Sequence, residues 1–201
     1  GRELPIQAIF AHPRLGDLAQ QIGSASCEDA AASLQPAPEA AGDPFPLTPV
    51  QEAYWLGRQR LVVLGEVACH AYSEYRLTEL DVGHFTATWQ AAIARHPMLR
   101  AVIGSDGTQR ILAQVPDFSV PVADYSDCSQ PEAEAAVGEL RAAMSHQMLP
   151  LDRWPLFDVR VTHVAAGDWR VHLSVDALIL DGESMALLLN ELFAELRGKS
   201  V

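Results

Sequence analysis

Two carboxylates bracket an apolar run in "DALILDGES", residues 176 to 184, with Asp176 at its start and Asp181 near its end. An aspartate can act as a base only weakly, unless burial lifts its pKa toward neutrality. Both acids are set by flanking elements. "WRVHLSV" alternates apolar and polar residues like a strand, and "MALLLNELFAEL" repeats like a helix. Asp181 stands just ahead of that helix, where a carboxylate accepts backbone N–H groups and favours the positive end of the dipole. Ser184 then returns a hydrogen bond from the first turn. Asp176 shares a strand face with His172 and Ser174, opposite Val171, Leu173 and Val175. Unpaired burial of that carboxylate costs several kcal/mol, so it faces water, a cation such as an arginine, or a cleft.

The strand, the "DGESMA" turn and the helix have the layout of a nucleophile elbow, which would make Ser184 a nucleophile. Residue order tells against it. In that fold the acid and histidine follow the serine, and no histidine follows His172 here. Elsewhere, "RHPMLR" offers Arg95, His96 and Arg100, with the histidine beside proline reading as a structural cap. Tyr54 and Trp55 read as core, and Glu132 to Glu139 as a solvated helix face.

Residues 4 to 22 predict two short helices broken near Pro13, whose apolar residues Ile9, Phe10, Leu15 and Leu18 need a partner. Residues 23 to 44, rich in Ala, Ser and Pro, predict a linker. A new domain opens at "FPLTPVQEAYWLGR", where Thr48, Pro49 and Gln51 form a capping box with proline at the first helical position. "CHAYSEYRL" predicts a strand. Phe85, Trp89, Ala92 and Ile93 mark a helix face, and "GSDG" a hairpin turn between "LRAVI" and "TQRILA". Val137, Leu140, Met144 and Met148 predict another helix. "LFDVRVTHV" and "DWRVHLSV" form a second strand pair. Helices alternate with hairpins, so the expected class is α/β with a mixed or antiparallel sheet.

Composition excludes several functions. A net charge of −12 argues against binding a phosphate backbone. No run is long and apolar enough for a membrane span. Three cysteines without a C-x-x-C pattern fit reduced thiols in a cytoplasm. The seven histidines make no i, i+4 pair with an acidic neighbour, so no metal site is expected.

Four stretches in order, "FPLTPVQEAYWLGR", "RHPMLRAVI", "LPLDRWPLFDVRV" and "DALILDGES", resemble the N-terminal lobe of a heterocyclisation domain from a nonribosomal peptide synthetase. Related condensation domains carry two histidines, three residues, then Asp-Gly. Here Asp176 and Ala177 stand at the histidine positions, while Asp181 and Gly182 keep the ending.

The resemblance implies one lobe of a two-lobed fold like chloramphenicol acetyltransferase, with a reaction tunnel between the lobes. Asp176 and Asp181 become the motif acids, with Ser184, Arg100, Arg95 and His172 as tunnel or structural support. Asp181 is expected to pair with Arg100 or Arg95. No cofactor binds directly; phosphopantetheine arms of upstream and downstream carrier domains deliver the substrates. Amide formation with Cys, Ser or Thr, followed by loss of water, would give a thiazoline or oxazoline. Residues 1 to 22 similarly look like the last helices of a carrier domain, 23 to 44 like a linker, and 45 to 201 like the lobe. Without its second lobe the piece is expected to lack turnover, and to self-associate or dock residues 4 to 22. An ordinary condensation domain, wanting a histidine at Asp176 or Ala177, and a non-catalytic carrier-binding module are the competing readings.

Overall fold

The computed structural model describes residues 14–24, 42–59 and 67–198. The chain divides into two compact units, residues 1–39 and 40–201. In the first, helix α1 spans Leu15–Ser24 and leaves Leu15 exposed. The helix expected before Pro13, with Ile9 and Phe10, lies outside the described residues, as does nearly all of the linker.

The second unit runs β1 (Phe45–Pro46), α2 (Pro49–Gly57), β2 (His70–Leu77), α3 (Val82–Arg95), a 3-10 turn (Pro97–Arg100), β3 (Ala101–Ile103), β4 (Thr108–Ile111), β5 (Val122–Asp124), α4 (Gln130–Met144), β6 (Phe157–Ala165), β7 (Asp168–Asp176) and α5 (Gly182–Leu196). It is the mixed α/β class read from the sequence. A small antiparallel sheet has order β1-β4-β3. The main sheet has order β2-β7-β6-β5, antiparallel except for the parallel pairing of β5 with β6.

Local chemistry sets the element ends. The Thr48 hydroxyl accepts from Gln51 N at 3.3 Å, and the Gln51 side chain accepts from Thr48 N at 2.9 Å, completing the box that starts α2. Asp81 and Asp181 each cap a helix, α3 and α5. In the β3–β4 hairpin Gly107 takes φ 76°, and the Trp55 ring lies 3.5 Å from where a Cβ would stand. The positive φ is what calls for glycine, the ring lying at ordinary contact distance. The helix expected to reach Met148 stops at Met144, and Met148 is exposed beyond it.

The odd-numbered residues of β7 (Val171, Leu173, Val175) and of β6 (Phe157, Val159, Val161) face a single apolar core. Phe85, Trp89, Ala92 and Ile93 of α3, with Leu188 and Leu192 of α5, close over that face. Trp89 stacks on Phe157 at 5.4 Å between ring centroids. The opposite face is polar, and part of it lies under α4 through Ala133 and Val137. Being central, β7 is buried on both faces, and this decides what its polar residues must do.

Candidate functional site

Asp176 ends β7 and is only 2% exposed. Its carboxylate is fully engaged. Oδ1 accepts from Leu178 N at 3.0 Å, and Oδ2 pairs with the Arg58 guanidinium. Arg58, which follows the last turn of α2, also donates to the Leu149 carbonyl. One buried ion pair therefore ties three segments: the end of α2, the loop before β6 and the motif itself. Of the alternatives read for Asp176, the arginine is the one present. A solvated edge is not.

Backbone bonds hold the rest of the motif. Ala177 N donates to Cys69 O at 2.9 Å, and Ile179 N donates to Asp176 O at 3.1 Å. Gln51 Nε2 donates to Leu178 O at 2.6 Å, while Gln109 Nε2 donates to Pro46 O at 3.0 Å. The glutamine of the α2 capping box thus also grips the motif. Leu178 and Ile179 sink into the core, which fixes the turn.

Asp181 caps α5, its Oδ1 accepting from Ser184 N at 2.8 Å. That backbone donor holds the Asp181 carboxyl below the usual range. The side chain is exposed, and the expected pairing with an arginine of "RHPMLR" does not form. Arg100 spends its donors on carbonyls instead: Ile93 at 2.6 Å, Ala94 at 2.9 Å and Leu112 at 3.1 Å. The first two are orphan acceptors in the last turn of α3 and the third lies just past β4, so backbone carbonyls outcompete an exposed carboxylate. Arg95 crosses to α5 and meets Glu191 at 3.1 Å and Glu195 at 2.7 Å. His96 Nε2 lies 2.6 Å from Glu191 Oε2. Ser184 supplies the backbone N–H described above.

His172 is fully buried, with Nδ1 2.8 Å from the Tyr72 hydroxyl and Nε2 3.2 Å from Thr162 Oγ1. A neutral ring can accept at the first contact and donate at the second. Burial pushes its pKa down, against the weaker opposing pull of Glu74. Burial, then the Glu74 charge, raises Tyr72 to about 12. Glu74 receives Arg141 at 2.7 Å and Arg170 at 3.1 Å, and Arg170 also reaches Asp168 at 2.7 Å. Around Glu74, Asp168 and Arg170 the polar face is an ion network. His172 belongs to that network and does not join the motif acids.

Sequence reasoning missed Arg58, Gln51 and the network partners as site residues. Arg58 was in view as the last residue of "FPLTPVQEAYWLGR", and the buried acid called for a cation. Among the described residues no group of His, Cys, Asp and Glu could hold a metal ion, and no helix is long and apolar enough to cross a membrane.

The family model for the condensation domain matches residues 42–197, and the chain belongs to that family. Pyochelin synthetase PchE of Pseudomonas aeruginosa is 35% identical over 193 residues, covering 96% of this chain and 13% of that protein. Phenyloxazoline synthase MbtB of Mycobacterium tuberculosis is 35% identical over 160 residues, 79% of this chain and 11% of that protein. Among solved structures, the EpoB NRPS cyclization-docking bidomain from Sorangium cellulosum matches with a TM-score of 0.77 and 30% identity, covering 96% of this chain and 38% of that one. The chain therefore spans a small part of each of these relatives.

Proposed function

We propose that residues 45 to about 197 are the N-terminal lobe of a nonribosomal peptide synthetase heterocyclisation domain. The observation that carries this is Asp176-Ala177 at the end of β7, where condensation domains resembling it hold two histidines. The names of the relatives, a pyochelin synthetase, a phenyloxazoline synthase and a cyclization bidomain, point the same way. The reaction is attack of a carrier-bound Cys, Ser or Thr amine on a carrier-bound acyl thioester. Side-chain attack on the new amide and loss of water then close a thiazoline or oxazoline ring.

In this reading neither motif acid moves a proton. Asp176 has both oxygens occupied, and Asp181 is committed to the start of α5. They hold the motif turn in shape, Asp176 through Arg58 and Asp181 through the helix. Carrier domains bring substrates on phosphopantetheine arms, and a second lobe completes the tunnel. Residues 1–22 would be the final helices of an upstream carrier and 23–44 its linker. That division agrees with a compact-unit boundary after Glu39 and a family match that begins at residue 42.

The test is mass spectrometry of the downstream carrier in the complete module, with both lobes and loaded carriers. A product one water lighter than the linear amide is expected. Linear amide alone would make this an ordinary condensation domain, and carrier binding without product would make it an interaction module.

A further inference from the structure

With both motif acids committed to structure, and no histidine at positions 176 and 177, the condensation step lacks a proton carrier. We infer that His70 supplies it. This rests on the function proposed above and goes beyond it by assigning a residue outside the motif.

His70 opens β2 and stands directly opposite Asp176 in the β2–β7 ladder. Directly opposed residues share a face, with Cβ atoms about 5 Å apart. Its Nδ1 is buried without a hydrogen-bond partner, yet the residue as a whole is only partly buried, which leaves Nε2 as the nitrogen toward solvent. Three of the four buried side-chain atoms without a partner among the described residues, His70 Nδ1, Ser174 Oγ and Gln147 Nε2, belong to residues close in register or in chain to those that make or anchor the Arg58–Asp176 pair. Ser174 precedes Asp176 by one step on the same face, and Gln147 lies two residues before the Leu149 carbonyl that Arg58 grips. Such orphans cost stability. Their concentration beside the motif marks a place kept for function rather than for folding.

The charged groups nearest His70 are already paired with others. Asp176 is neutralised by Arg58, and Asp158, on the same face two strands away, is paired with Arg160. Tyr72, next on β2, is held neutral, and Cys69 precedes it on the chain. An imidazole is the side chain whose charge changes near neutral pH. The amine nitrogen of the acceptor forms its C–N bond to the thioester carbonyl carbon, and His70 Nε2 takes the proton that nitrogen sheds. The adduct then breaks its C–S bond, and the same proton passes to the departing thiolate. Amide and thiol result, with no other reactant.

The experiment measures single-turnover amide formation by quenched mass spectrometry in the complete module with loaded carriers. Wild type is compared with His70→Asn and His70→Gln over about pH 5.5 to 8.5, the range in which imidazoles titrate. Both variants should keep the wild-type melting midpoint and carrier KM, lose about 10²-fold in rate, and lose the inflection of the rate with pH. Added imidazole should restore part of the rate. A folded variant within about twofold of wild type, with its inflection intact, would overturn the inference alone. Should both variants unfold, a wild-type profile without an inflection in that range overturns it instead. A wild-type module that makes no amide overturns the preceding reading and this one together.

Discussion

Arg58 and Asp176 form an ion pair with side chains only 5% and 3% exposed, joining the end of α2 to the end of β7. Burying two charges is unfavourable unless each is paired and its remaining hydrogen-bonding capacity is used. Both conditions hold, through Leu178 N and the Leu149 carbonyl. Removing either partner strands the other.

Asp176→Asn and Arg58→Met should therefore each destabilise the folded domain by about 3–5 kcal/mol, the usual cost of an unpaired buried charge. Combining them should cost less than the sum, because the second change removes the charge the first one stranded. Urea unfolding of the four proteins measures this. Additive losses would mean the two side chains are not coupled.

Asp181→Ala should cost much less, because this carboxylate is an exposed cap and not a buried partner. Its folded pKa lies below the unfolded value of about 3.9. The Asp181 contribution is thus present above that value and is lost as pH falls through the folded one. Asp181→Ser should keep the cap and remove this acid sensitivity. Melting curves of the three proteins between mild and strong acid give the comparison.

His172 behaves in the opposite sense to a salt-bridged histidine. Its folded pKa is depressed, so the unfolded chain binds more protons between the folded value and about 6.5. Stability should rise with pH through that window, by at most about 1.4 kcal/mol per unit, and fall on acidification. His172→Gln should flatten the slope. An unchanged slope would mean the ring is charged in the folded state.

Arg100→Lys should destabilise the turn after α3, since an ammonium cannot span the Ile93, Ala94 and Leu112 carbonyls as a planar fork does. Raised salt should not mimic the change, because the acceptors carry no net charge. Thermal melts of both proteins at low and high salt test this.

The helices and hairpins were legible because their signals are local. Thr48 and Gln51 are three residues apart, Asp181 and Ser184 likewise, and the alternation of β7 runs through consecutive residues. The partner of Asp176 was not legible. Arg58 is 118 positions away in the chain, and only the fold brings them together. Arg100 misled for a related reason. A charge rule favours a carboxylate, whereas the end of α3 offered two carbonyls already in place and the chain after β4 a third. The polar face of the main sheet was visible as alternation in "HAYSEYRL" and "DWRVHLSV". That it would close into an ion network depended on α4 bringing Arg141 and Glu134 across it.

Under the proposed function the motif acid Asp176 positions the site and does not act in the chemistry. The most direct measurement is product formation by the complete module carrying both Arg58→Gln and Asp176→Asn, which removes both charges and keeps hydrogen-bonding groups in place. This protein should fold and form cyclised product within about tenfold of the wild-type rate, well short of the 10²–10⁴-fold loss of a general base. A double variant with the wild-type melting midpoint and a rate down more than about 10²-fold would contradict it.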